Sequence, residues 1–457
     1  MWPSGLRQFH AIKWFADKAP VVIGCRPFME QGMTARVLPV CASEDVETSA
    51  KPDAPLLADS QFRAVWLSGI VIGIVRWLEF LAVGIFAYDV TGSAFLVALL
   101  ALLRFLPLAL FGIFMGALAD ISDNAKLLRV GFALAGVVSV VMTGLFVFEI
   151  ATYWHVALAV FASGTLWATD LPVRRKLIGE IAGLDRLAEA MAIDTATSNG
   201  TRMVGPLIGG LAYQWVGGTG IFALGVVFYA LAWVIMGVVK RPLPSAAAGG
   251  HGSWFMRPIT SAWHAFKYAI GDREVMSILG VTIVFNIWGF PMLSMVPVIG
   301  KEELGLSAST IGVVGALEGT CSFIGAVLIA KFIKPAYFRR LYYYGTCMLI
   351  CLVFIMGILP GFWILAFGLM GAGFAGAGFA TMQSTLIYLV APLEMRGRLL
   401  GLITICIGSG LIGFANIGYL ADTFGASNAL WINALEGVIP MIWIGVRWQQ
   451  LHGPPKS

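Results

Sequence analysis

Charged residues interrupt stretches of this chain that are otherwise apolar, and these are the residues best able to do chemistry. Arg76 and Glu79 stand three apart in "RWLE", near the middle of an apolar run over 64–88. Arg104 is near the middle of 94–117, Asp170 lies toward the end of 154–173, and Asp194, Asn199 and Arg202 share 188–213. Glu318 is central in 308–330 and Glu436 in 428–446, while Asn286 and Gln383 add uncharged polarity to 275–299 and 362–390. A charge at the centre of a membrane helix costs about 2.5–3.5 kcal/mol on insertion scales, so it faces a cavity or a partner.

Two uses fit such residues. In the structural one, Arg76 pairs with Glu79 on one helix face, Arg202 pairs with Asp194, and the pairs fix helix rotation. In the functional one, a carboxylate alternates between protonated and ionised states and an arginine binds or releases it. Desolvation favours the protonated form of a carboxyl group, which suits a proton relay. Glu79, Asp194 and Glu318 are the candidate proton-coupling residues. Glu318 is the leading one, because its own apolar run holds no basic residue. Arg76, Arg104, Asn199, Arg202, Asn286 and Gln383 are candidates to line a substrate cavity or to partner the charges.

The elements that position these groups follow from composition. Of 457 residues 59% are hydrophobic and only 12% charged, and the mean hydropathy is +0.85. Soluble domains are closer to 25% charged, so the solvent implied is a bilayer. Runs of about 20 apolar residues mark membrane helices. Twelve are read here: 64–88, 94–117, 127–148, 154–173, 188–213, 219–239, 275–299, 308–330, 340–359, 362–390, 399–421 and 428–446. The expected organisation is a disordered cytoplasmic tail over 1–63, a six-helix half over 64–239, a linker over 240–274, a second six-helix half over 275–446, and a cytoplasmic tail over 447–457. Within the linker, "RPLPSAAAGGHGS" reads as loop, and "SAWHAFKYAI" reads as an amphipathic helix on the membrane surface.

Loops on the side of the N-terminus hold twenty-five of the thirty Lys and Arg, whereas the opposite loops hold Lys301 alone. Positive residues stay cytoplasmic, which places both termini inside. The net charge of +5 is therefore a topology signal and calls for no nucleic-acid partner. The first 60 residues carry no signal-peptide pattern, and translation starting near Met33 is an alternative reading of them. The six cysteines read as small hydrophobes. The histidines are scattered, so no metal site and no cofactor is implied. No P-loop, HExxH, GxSxG or Ser/His/Asp cluster is present, which argues against an enzyme.

A repeat runs through the chain. "MGALAD", "GGLAYQ", "IGAVLI" and "IGYLAD" recur near the ends of spans two, five, eight and eleven, with glycines at 116, 209, 325 and 418. Gly116 to Gly325 and Gly209 to Gly418 share the offset 209, and the spacing within each half is 93. Three-helix units nested within six-helix halves are an architecture of secondary transporters. The charges do not repeat: at offset 209, Arg76 corresponds to Phe285, Glu79 to Trp288 and Asp194 to Ile403.

On these motifs the chain, over about 64–446, resembles the major facilitator superfamily. "GALADISDNAKLLRVG" (116–131) looks like that superfamily's loop signature, with Gly116, Asp120 and Arg129 on its skeleton, although "SDNAK" replaces the usual second glycine and basic pair. "DVTGSAFLVAL" (89–99), "LP" (106–107), "NGTRMVGPLIGG" (199–210) and "EMRGRLLGL" (394–402) resemble the branch that contains the enterobactin exporter and related efflux proteins. "GPLIGG" looks like a motif associated with exporters. It makes Gly205, Pro206, Gly209 and Gly210 gating candidates, because glycines allow close helix approach and proline permits a bend. Asp120 could latch across to "PVRRK" (172–176).

The resemblance implies an all-α membrane protein with twelve transmembrane helices in two halves, with Glu436 on a peripheral span. It implies a monomeric secondary transporter of a bacterial inner membrane that exports a small siderophore- or drug-like molecule by alternating access and proton antiport. Trp77, Trp167, Phe285 and Trp288 would suit an aromatic or amphipathic cargo. The alternatives are a transporter of the same fold for a lysophospholipid or an imported nutrient, and a receptor without transport.

Overall fold

The computed structural model describes residues 55–239 and 256–448. The N-terminal tail up to residue 54, the "RPLPSAAAGGHGS" loop and the last nine residues lie outside the described residues, as do the side chains at Gly116 and Asp120.

Helices start where a short polar side chain can satisfy the first free backbone N–H groups. Asp59 caps α1 (Ser60–Thr91), Ser93 caps α2 (Ala94–Ile121) and Asp123 caps α3 (Asn124–Val147). Thr152 and His155 form a reciprocal cap at the start of α4 (Tyr153–Gly183). Glycines end segments where the backbone must turn through positive φ. Gly183 (φ 71°) separates α4 from α5 (185–216), and Gly217 (φ 65°) separates α5 from α6 (218–236).

An amphipathic helix, α7 (Met256–Gly271), covers "SAWHAFKYAI", with Ala265 and Ala269 buried and Trp263, Phe266 and Ile270 exposed. It is followed by α8 (Arg273–Glu303), α9 (Ala308–Phe332), α10 (Phe338–Ile358), α11 (Phe362–Val390), α12 (Leu393–Gly408), α13 (Gly410–Phe424) and α14 (Ala426–Arg447). The fold is all-helical and membrane-spanning. Among the described residues eleven segments are long and apolar enough to cross a bilayer. One of these, Asp185–Met236, has 52 residues, far more than the roughly 20 one crossing needs. Its break at Gly217 makes it two crossings. α12 and α13 together make one, with a joint at Ser409.

The fourth span runs ten residues past the expected 173, to Gly183. The apolar-run criterion stops at Arg174 and Arg175, but helix continues because both side chains find carboxylates. The seventh span is irregular. It is π-helical over Phe285–Gly289 and 3-10 over Phe290–Met295. Pro291 and Pro297 cannot donate to the helical ladder.

Apolar side chains also face outward. On α3 Leu134 is 62% exposed, and on α14 Ile439 is 72% exposed. Contiguous apolar surface of this kind needs lipid around it.

The two halves meet where α5 lies along α9 and where α2 lies along α12 and α13. Backbones touch in the α5–α9 seam. A Cβ on Gly210 would sit 2.8 Å from Gly312 Cα, and a Cβ on Gly312 would sit 2.8 Å from the Pro206 carbonyl. At the end remote from the chain termini, here the far end, polar contacts close the gap. Lys301 reaches Asp89 at 3.0 Å, Tyr213 donates to the same carboxylate at 2.8 Å, and Ser93 donates to Asp422 at 3.0 Å.

Candidate functional site

Two charged assemblies within the first half, one ion pair across the halves and one aromatic assembly lie between the ends. The first is built around Glu79, which is 2% exposed. It receives Arg104 from α2 at 3.0 Å, the Ser163 hydroxyl from α4 at 2.8 Å and the Tyr229 hydroxyl from α6 at 3.2 Å. Arg104 also donates to the Arg76 carbonyl at 3.1 Å. One carboxylate thus ties four helices. The helices approach closely enough because Gly164 leaves room for the Arg104 backbone carbonyl.

A second chain of charges runs from α1 through α4 to α5. Arg76 donates to Asp170 at 2.9 Å. Arg174, one turn further along α4, makes an ionic contact with Asp170 at 3.4 Å and a short hydrogen bond to Asp194. Arg175 lies 3.9 Å from Asp194 and is half exposed. Asp170, Arg174 and Asp194 are all buried.

Between the halves, Arg202 of α5 donates to Glu318 of α9 at 2.5 Å. A Cβ on Gly319 would run into the Arg202 backbone, so the seam is close at this level too.

These pairings correct the sequence expectations. Arg76 does not pair with Glu79, nor Arg202 with Asp194. Each partner comes from another helix, where side chains converge across a packed interface instead of running side by side on one surface. Glu318 does have a basic partner, supplied by the opposite half. Asn286 donates to the Thr282 carbonyl at 2.8 Å and Gln383 to the Thr282 hydroxyl at 3.4 Å, so both serve a polar knot within the second half. Asn199 is half-buried three residues before Arg202. Glu436 accepts from Asn416 at 2.7 Å and from the Trp288 indole at 3.2 Å, on the side of α14 that faces α13 and α8.

The aromatics divide differently from expectation. Trp77 and Trp167 meet edge-on at 6.5 Å. Phe105 extends the group, lying 4.9 Å from Trp167, 5.4 Å from Phe290 and stacked at 5.4 Å on Phe414. Phe290 and Phe414 belong to the second half, so this cluster bridges the halves at the centre. Guanidinium groups cap it: Arg76 lies 4.7 Å over Trp167 and Arg202 lies 4.8 Å over Trp77. Phe285 and Trp288 are absent from it. Phe285 stacks at 3.6 Å on Phe379, and the Trp288 indole is turned to Glu436. A narrow crevice is lined by Glu79, Phe80, Arg104, Leu293 and Pro297, and a second lies beside Arg76, Trp167 and Tyr229.

Of the motif residues, Gly205 and Gly209 lie against the backbone of α1 at Leu78, and Gly210 lies against α9. "GPLIGG" thus joins three helices, one of them in the opposite half. Arg129 stacks 4.7 Å over Trp233. The Asp120 side chain is outside the described residues, and in "PVRRK" Arg174 is engaged by Asp170 and Asp194.

A family model described as transmembrane secretion effector, of the major facilitator type, matches residues 50–449. The chain belongs to that family. Macrolide efflux protein A of Streptococcus pyogenes is 21% identical to this chain over 273 residues. The match covers 60% of the chain and 66%, just under two thirds, of that relative. Among solved structures, an inward-facing, unoccupied bacterial homolog to the human lysosomal transporter Spinster aligns with a TM-score of 0.66 at 16% identity, over 87% of this chain and 99% of that one. The nucleoside transporter NupG aligns with a TM-score of 0.70 at 11% identity, over 85% and 100%. At such identities these structures share its fold.

Sequence reasoning missed Ser163 and Tyr229, which are unremarkable polar residues in apolar runs. It also missed Phe105, Phe290 and Phe414. Asp170 and Arg174 carried a usable signal, since their spacing of four places them on one helix face.

Proposed function

We propose that this secretion effector is a secondary transporter that exports a small organic molecule, siderophore- or drug-like, across a bacterial inner membrane by alternating access with proton antiport. On this reading both termini are cytoplasmic, the halves over 64–239 and 275–446 rock about the centre, and the protein groups with the enterobactin-exporter-like efflux proteins. The observation that carries the proposal is the Arg202–Glu318 ion pair, which joins the halves at mid-depth in a seam of touching backbones. The name of the macrolide efflux relative supports export.

In this mechanism the closed far end and the Arg202–Glu318 pair belong to one state. Protonation of Glu318 removes its charge and releases Arg202, and the α5–α9 seam is then free to slide. Cargo at the aromatic cluster competes for the freed guanidinium. Deprotonation on the other side restores the pair. Glu79 and Asp194 are the other candidate proton carriers, and each already has an arginine to release.

The test uses purified protein in liposomes that hold a lumenal pH dye. A panel of siderophores, dyes and antibiotics is added under an imposed pH gradient. We expect proton flux triggered by at least one compound, and its loss in Glu318→Gln. Flux that survives the substitution would move coupling to Glu79 or Asp194. Cargo movement without any proton flux would overturn antiport.

A further inference from the structure

The charged groups at the centre are unequal in number among the described residues. The two charged assemblies of the first half and the pair across the seam contain five guanidinium groups, but among the described residues four carboxylates answer them. In the second half, 275–299 of α8 and the whole of α11 hold no Asp, Glu, Lys or Arg. The surplus falls on Arg175. Its side chain is 51% exposed, and its only ionic contact among the described residues is a loose one of 3.9 Å to Asp194, which Arg174 already occupies.

Deeper in, two arginines stand over two indoles in series: Arg76 on Trp167, Trp167 against Trp77, and Arg202 on Trp77. The Arg202 Nε is buried and has no hydrogen-bond partner among the described residues. A guanidinium stacked on an indole still presents its edge, and that edge matches the two oxygens of a carboxylate. The adjacent indole faces accept a flat apolar body.

We propose that the aromatic cluster between the halves binds an aromatic molecule bearing one negative charge, with its acidic group on the Arg76 or Arg202 edge and its ring on Trp77 and Trp167. Arg175, more exposed than either, draws the anion inward. The inference rests on the transport reading for its biological sense but concerns binding alone. If such an anion leaves as a proton enters, each cycle carries two positive charges inward, and the membrane potential adds to the pH gradient as a driving force.

The test is calorimetric titration of the purified full-length protein with three probes of one shape: 2-naphthoate, 2-naphthalenemethanol and 2-naphthylmethylammonium. We expect naphthoate to bind about ten-fold more tightly than the ammonium probe, the neutral alcohol to lie between them, and Trp77→Phe to weaken all three. Arg202→Gln should reduce the discrimination to within about three-fold. Arg175→Gln removes only a loose contact and leaves the Arg174–Asp194 hydrogen bond in place, so it keeps the test valid if Arg202→Gln fails to fold, and it too should narrow the gap. Equal binding of the three probes, tighter binding of the ammonium, or discrimination unchanged in both arginine variants would overturn the proposal. Naphthoate that binds as expected but is not moved in liposomes would leave this site standing and count against transport. Proton-driven flux of a cationic compound without naphthoate preference would do the reverse.

Discussion

Replacing Glu79 with alanine is expected to lower stability by about 3–5 kcal/mol, the range for removing one partner of a buried ion pair. Arg104 is only 3% exposed and would be left with its charge uncompensated inside the first half. The hydroxyls of Ser163 and Tyr229 would lose their shared acceptor as well. The loss arises from stranding a charge, so removing both charges should recover most of it. We therefore expect Glu79→Ala to fall well below wild type in thermal unfolding monitored by fluorescence, and the Glu79→Leu/Arg104→Leu double variant to return most of the way. A double variant as unstable as the single one would show that Glu79 acts through packing, not charge.

Asp170 should be nearly as sensitive, and its case separates folding from function. It lies between Arg76 and Arg174 and is fully buried. Asp170→Phe would leave two guanidinium groups without their shared carboxylate, again at a cost of about 3–5 kcal/mol. The second half shows what an uncharged solution looks like. At offset 209, Arg76 corresponds to Phe285 and Asp170 to Phe379, and those two rings lie parallel at 3.6 Å. The same junction of first and fourth helices is held by charge in one half and by stacked rings in the other. Arg76→Phe/Asp170→Phe should accordingly fold much better than Asp170→Phe alone. If the first-half charges serve transport, the double variant should still be inactive in the liposome assay. Full activity in that folded variant would assign Arg76 and Asp170 a structural role only.

The helical class and the approximate positions of the spans were legible because membrane helices must bury an apolar length set by the bilayer. The positions of the buried charges were legible too, since a charge in such a run is costly enough to mean something. Their partners were not. Arg76 and Glu79 look like a pair along one helix, yet each turns to a different neighbour, because pairing is decided by which helices pack together. Helix packing in a membrane depends on small residues and close backbones, and the chain carries 54 glycines, too many for sequence to show which of them touch. "GPLIGG" could be singled out as a contact motif, but that Gly205 and Gly209 serve α1 while Gly210 serves α9 depends on which way the helix is turned. The aromatic cluster was half visible: Trp77 and Trp167 sit beside charges, whereas Phe290 and Phe414 arrive from the irregular seventh span and from the eleventh.

Two ion pairs that join the halves, Asp89–Lys301 and Glu318–Arg202, differ in what can reach them. Asp89 and Lys301, at the far end, are 32% and 25% exposed, while Glu318 is 8% exposed at mid-depth. Dissolved salt screens exposed charges within a Debye length of about 8 Å at physiological ionic strength and screens buried pairs much less. Saltier medium on the far side therefore loosens the outer fastening and leaves the inner one intact. On the proposed alternating-access mechanism, the ionic strength of one compartment thus tunes the balance between closed and open states, separately from the proton and cargo proposed to act at the centre.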